Sequence, residues 1–278
     1  MNNAPIGEQP QDYQGFAGKP PTEQVKKLGV LERITGMFFE PGNTFRSLKA
    51  HPNWLVAFLI TGLVVAVSLF VFTNRVPYEI RRQAILDNMM KTASRFAGDE
   101  FQLQKMREEF ERRVPPEETL RQKLTAPLTT IAGMLLIAVI AAGLYLVGTI
   151  IMGKRITFKQ ALAVRVYSDL PPVITSSILL IILMYLKSPD QIDPVNPHGM
   201  LTSNLGPLVD AKEHIVLGTI ANNIDLFQIW SLILAVIGLS IMPEKMRHGQ
   251  AIGIVVVVWL LGLLLKIGYN TMTGSATM

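Results

Sequence analysis

Cysteine is absent from the 278-residue chain, which excludes disulfides, thiolate nucleophiles and cysteine-held zinc and leaves the redox compartment unread. Only four histidines occur, His51, His198, His214 and His248, and none shares metal-ligand spacing with another histidine or a carboxylate pair. His198 and His214 share one connector with Asp190, Asp193, Asp210 and Glu213, but that spacing specifies no metal geometry. A Gly-rich phosphate loop, a nucleophile elbow and an intramembrane Ser/His or Asp/Asp arrangement are all missing, so no enzyme and no cofactor are expected. An internal repeat is missing too, which counts against inverted-repeat transporters. The first 50 residues lack the charged-then-apolar pattern of a cleaved signal peptide. The net charge of +5 is small and its basic residues are interleaved with acids. A lipid bilayer surface, not nucleic acid, is the expected partner for them.

What the chain does have is apolar length. Five apolar runs, at 54–72, 127–152, 167–186, 223–242 and 250–269, read as membrane spans. Lipid cannot satisfy backbone N–H and C=O groups, so such runs must be helical, and 19 residues reach about 28 Å, close to the hydrocarbon thickness. The third run is the shortest, and a kink is expected at its proline pair. The predicted fold is an all-α polytopic membrane protein. It has five transmembrane helices, interfacial amphipathic helices and a helical insertion after the first span.

Residues 1–24 are rich in Pro, Gln, Gly and Asn and read as a disordered tail. In residues 25–52, Val25, Leu28, Leu31, Ile34 and Phe38 recur at helical spacing, predicting a surface helix, and Pro41-Gly42 separates it from a second. The membrane domain covers 53–270, interrupted by a mixed-charge insertion at 73–126 that predicts two or three amphipathic helices. Phe158–Val166 predicts a short interfacial helix ahead of the third span. Residues 271–278 form a short tail.

The short turns around Lys154, Arg155, Lys159 and Arg165 and around Lys245 and Arg247 are basic. With those turns inside, the N-terminus is cytoplasmic and the C-terminus outside. The insertion, with 11 basic and 9 acidic residues, then lies outside. Long segments translocate with less regard to charge, so the short turns decide.

Three phrases resemble the Yip family, five-span proteins known in eukaryotes for binding Rab-type GTPases. The first is Phe39-Glu40-Pro41-Gly42-Asn43-Thr44-Phe45, running to His51-Pro52-Asn53-Trp54. The second is Phe158-Lys159-Gln160-Ala161-Leu162 followed by Tyr167-Ser168-Asp169-Leu170-Pro171. The third is Asp225-Leu226-Phe227-Gln228-Ile229-Trp230-Ser231, running to Gly238-Leu239-Ser240. The likeness spans roughly residues 30–270 and is closest to the bacterial branch. It implies a cytoplasmic N-terminus, an outside C-terminus and, for that branch, the inner membrane. Glu40-Pro41-Gly42 stands where eukaryotic members carry Asp-Leu-Tyr-Gly-Pro, and the long charged insertion is not a general family feature. The resemblance therefore carries over fold and location, not a GTPase partner.

Three groups of candidate residues follow. Asp225 and Lys266, near the same ends of adjacent spans, could form an intramembrane charge pair; the plainer reading is a helix-capping anion and a snorkelling lysine. Small residues four apart, Gly62/Ala66, Ala138/Ala142 and Gly249/Gly253, suit close helix packing, within the bundle or in a homo-oligomer. Tyr167, Asp169, Pro171 and Pro172 could form a hinge at the cytoplasmic face, against the plainer reading that the prolines begin a helix. The function expected is a membrane scaffold or adaptor that contacts other membrane or cytoplasmic proteins. The alternative is a small transporter or channel lined by Gln228, Ser231, Thr149 and Asp225.

Overall fold

The computed structural model describes residues 27–210 and 214–273. The tail expected at 1–24, Val25 of the surface stripe and residues 274–278 of the C-terminal tail lie outside the described residues. Among the described residues ten α-helices follow in order. They are α1 (Val30–Phe39), α2 (Pro41–Ala50), α3 (Leu55–Arg75), α4 (Tyr78–Ala93), α5 (Glu100–Arg113), α6 (Leu120–Ile151), α7 (Phe158–Leu186), α8 (Ile215–Asn223), α9 (Leu226–Ile241) and α10 (His248–Thr273). Short 3-10 turns punctuate the connector between α7 and α8. Among the described residues there is no strand, only an isolated antiparallel bridge between Asn204 and Asp225.

Among the described residues four helices, α3, α6, α7 and α10, are long and apolar enough to cross a membrane. α9 is apolar but has 16 residues, which reach about 24 Å. The longer helices run between two ends of the bundle, and α9 reaches the first of them with its last residue, Ile241. At one end Ile241 lies against Gly42 of α2, and Gln160 in the first turn of α7 donates to Lys49 O at 2.9 Å. At the other end Arg75, closing α3, donates to Met184 O at 3.0 Å and Lys187 O at 3.1 Å, and Thr92 of α4 donates to Thr273 O at 3.4 Å. The first end therefore gathers α1, α2 and the turns after α6 and α9. The second gathers α4, the connector and the C-terminal end of α10.

α7 is the axle of the fold and packs against α3, α6 and α9. Its Ala161, Ala163, Val164 and Leu170 are fully buried. It starts on a capping box, with Thr157 accepting from Gln160 N at 3.2 Å and Gln160 accepting from Thr157 N at 2.8 Å. From there it runs unbroken through Pro171 and Pro172, both buried. Neither a separate helix at Phe158–Val166 nor a helix start at the prolines is present. Inside a bundle, neighbouring helices and small local adjustments tolerate the two missing N–H groups. α6 likewise begins seven residues ahead of Pro127, on a Thr119/Gln122 capping box.

α1 and α2 form a plate on the first end of the bundle. Met37, Phe45 and Leu48 are fully buried beneath it, and the Phe38 ring meets Trp230 edge-on at 5.9 Å. The face differs from the apolar stripe: Arg33 is buried, while Leu31 and Phe39 are exposed (77% and 83%). The insertion folds as the α4–α5 hairpin, fastened by Arg81 on Glu118 at 2.9 and 3.0 Å and by Tyr78 Oη on Pro115 O at 2.8 Å.

Candidate functional site

A cavity of about 410 Å³ opens between α3, α6, α7, α9 and α10. Its polar lining includes Arg165, Asp169, Asp225, Gln228, Ser231 and Lys266; its apolar lining includes Phe58, Met134, Ile137 and Val173. Ile137 on α6 and Lys266 on α10 are both exposed, so the mouth lies on the flank of the bundle. Toward the α1–α2 end the interior is closed by the fully buried Ala161, Val164 and Leu239.

One turn of α7 brings Arg165 and Asp169 together across i,i+4 spacing, at 2.9 Å. The second carboxylate oxygen accepts from Ser231 Oγ of α9 at 2.5 Å. The buried Tyr145 hydroxyl of α6 stands within hydrogen-bonding reach of Arg165. Three helices thus meet on one ion pair. A charge here is tolerable because its partner and its hydrogen bonds travel with it; either charge alone would carry a large desolvation cost.

Asp225 is the N-cap of α9. Its Oδ1 accepts from Phe227 N at 2.8 Å and Gln228 N at 3.1 Å, and its Oδ2 accepts from the Ser203 hydroxyl. Lys266 donates to Asn223 Oδ1 at 2.9 Å. The two side chains line one cavity, yet no direct ion pair joins them among the described residues: each has found a different partner. Arg165 was legible only as a turn charge, and its pairing with Asp169 was missed. The i,i+4 spacing of opposite charges inside an apolar stretch was the available signal.

The other candidates are dispersed. Tyr167 is buried against Arg33 of α1, and with Asp169, Pro171 and Pro172 it lies within the continuous α7 instead of at a free end. Ala138 and Ala142 are buried, and a Cβ built on Gly62 would meet Ile131 at ordinary contact distance (3.7 Å). Ala66 is half-buried, and nothing lies within 4 Å of a Cβ built on Gly249 or Gly253. Close approach occurs elsewhere. At Gly238 a Cβ would meet Phe45 and Val164 at 2.9 Å, and at Gly148 it would meet Ile254 at 2.7 Å. Thr149 is fully buried and donates to Leu146 O, away from the cavity that Gln228, Ser231 and Asp225 line. Among the described residues no group of three or more His, Asp or Glu side chains could hold a metal. On the connector, hydrogen bonding by Ser188 holds the Asp190 carboxyl below its ordinary pKa.

Compared with known proteins, residues 35–268 match the family model described as Yip1 domain. No curated protein and no solved structure matches the chain.

Proposed function

We propose, from the premise that this chain belongs to the Yip1 domain family, that it is a non-catalytic multi-pass membrane protein acting as a scaffold or adaptor. The observation that carries this reading is the α1–α2 plate. Its inner face is sealed on the bundle by Met37, Phe45 and Leu48, while Leu31 and Phe39 face outward from a fixed position. Apolar side chains presented from a rigid, partly polar plate suit contact with another protein beside the membrane. In this reading α9 crosses together with α3, α6, α7 and α10, giving five spans. The α1–α2 end is cytoplasmic, because Lys154, Arg155, Lys159, Lys245 and Arg247 surround it. The membrane proposed is the inner membrane of a bacterium, as for the bacterial branch that the motifs resemble.

A second reading, a small transporter, is favoured by the polar cavity that Asp225, Gln228 and Ser231 line. The closed interior between that cavity and the plate weighs against it. Photo-crosslinkers at Leu31 and Phe39 in intact cells, paired with solute flux in proteoliposomes, separate the two. Discrete protein adducts without flux support the scaffold. Flux abolished by Asp225→Ala, without protein adducts, overturns it.

A further inference from the structure

The cavity has hydrogen-bond donors to spare, while its carboxylate acceptors are already engaged. Asp169 accepts from Arg165 and Ser231, and Asp225 accepts from two backbone N–H groups and the Ser203 hydroxyl. The cations are less well served. Lys266 carries three donors, and its hydrogen bond goes to a neutral acceptor, Asn223 Oδ1. Arg165 carries five, and its buried Nε has no partner. Arg165 and Lys266 both line the cavity, so like charges face one space. An acceptor-rich anion seated between them would relieve the repulsion and meet the spare donors of Lys266.

The walls narrow the choice of anion. Phe58, Met134, Ile137 and Val173 make one side of the cavity apolar, and its mouth at Ile137 and Lys266 lies on the bundle flank, which faces lipid. Lys266 is placed where its alkyl chain covers apolar surface while the ammonium reaches a polar group. A ligand entering there from the bilayer would bring an anionic head and an apolar tail.

We propose that the cavity binds a phosphate-type oxyanion between Lys266 and Arg165, presented by the headgroup of an anionic lipid entering through the flank. The scaffold reading does not depend on this site, nor the site on the scaffold reading.

The test uses the full chain in maltoside micelles, which supply no phosphate. Thermal unfolding is followed with short-chain phosphatidic acid, with the diacylglycerol of the same chain length, and with inorganic phosphate against chloride. Phosphatidic acid is expected to raise the midpoint in a saturable way and diacylglycerol to leave it unchanged. Lys266→Gln should weaken the effect by at least about tenfold, the scale of one lost charge-assisted hydrogen bond, and Lys266→Arg should preserve it. Ile137→Trp, which fills the mouth without altering any charge, should abolish the phosphatidic acid response. Inorganic phosphate acting as strongly as phosphatidic acid would keep the oxyanion site and make free phosphate its source. Failure of both phosphate-bearing probes, or full binding in either the Lys266→Gln or the Ile137→Trp protein, overturns the proposal.

Discussion

Ser231 of α9 donates to Asp169 of α7 at 2.5 Å, across 62 residues of sequence, while Arg165 holds the other oxygen of the same carboxylate at 2.9 Å. Asp169 and Ser231 each belong to one of the phrases through which the chain resembles its family. Those phrases converge elsewhere too. Phe45, from the first phrase, lies against Gly238 in the continuation of the third. The resemblance therefore follows the contacts that fix α7, α9 and the plate to one another.

Removing Asp169 should be the most damaging single change in this cluster. Asp169→Ala leaves Arg165 without its counter-charge inside the bundle, which costs about 3 kcal/mol, at the lower end for buried pairs because the cavity leaves both groups partly open. Ser231→Ala removes one neutral donor and should cost about 1 kcal/mol. Asp169→Asn keeps a carbonyl acceptor and should fall between. Denaturant unfolding in detergent micelles checks the order; equal costs for Asp169→Ala and Ser231→Ala would show that the ion pair contributes nothing.

The apolar runs made α3, α6, α9 and α10 legible, because bilayer physics links run length to helix with few alternatives. α7 was harder. Pro171 and Pro172 signal a boundary in water, where a broken helix can be solvated, but a bundle interior has no water to reward the break. Once the helix is split there, Arg165 reads as a surface charge instead of a core one. Small-residue spacing misled for a related reason. A pair four apart marks one face of a helix without saying what lies opposite, so Gly249/Gly253 and Gly238 look alike until the neighbours are placed. Arg33 carries the same lesson: its burial depends on how α1 docks on Tyr167, which no local pattern encodes.

Gly238 and Gly249 should respond oppositely to the same substitution. A methyl group at Gly238 meets Phe45 and Val164 at 2.9 Å, and overpacking of this kind costs about 1–3 kcal/mol. At Gly249 the methyl meets nothing, and replacing a glycine by alanine where the backbone is already helical gains about 0.4–1 kcal/mol, chiefly by restricting the unfolded chain. Melting temperatures of Gly238→Ala and Gly249→Ala in one detergent provide the comparison. Destabilisation by Gly249→Ala would reveal a covered face, and a dimer contact would be the first place to look.

The α4–α5 insertion should behave as a fastened unit, not a loose loop. Arg81 and Glu118 are largely enclosed, with side chains 11% and 14% exposed, and pair through two hydrogen bonds. The i,i+4 pairs on α5, such as Arg107–Glu111, are exposed and worth only a few tenths of a kcal/mol. Glu118→Gln should therefore speed amide exchange in α4 and in the segment from Val114 to Thr119, with α7 unaffected. Glu111→Gln should do almost nothing. Hydrogen exchange read by mass spectrometry distinguishes them.

The lack of native cysteine makes orientation directly measurable, and the structure says where labels must go. Ser47 is buried and its hydroxyl accepts from Leu28 N, so a cysteine there would stay unreactive on either side. Ala50, Ser94 and Leu208 are exposed. Ser94, at the end of α4, and Leu208, on the connector, share one end of the bundle, whereas Ala50 closes α2 at the other. A membrane-impermeant thiol reagent on intact cells should then label Ser94→Cys and Leu208→Cys together, and Ala50→Cys only after permeabilisation. Labelling of Ala50→Cys alone would invert the protein and make the charged hairpin its cytoplasmic face. Labelling of Ser94→Cys without Leu208→Cys would contradict the bundle itself, because Arg75 ties the ends of α3 and α7 at one level.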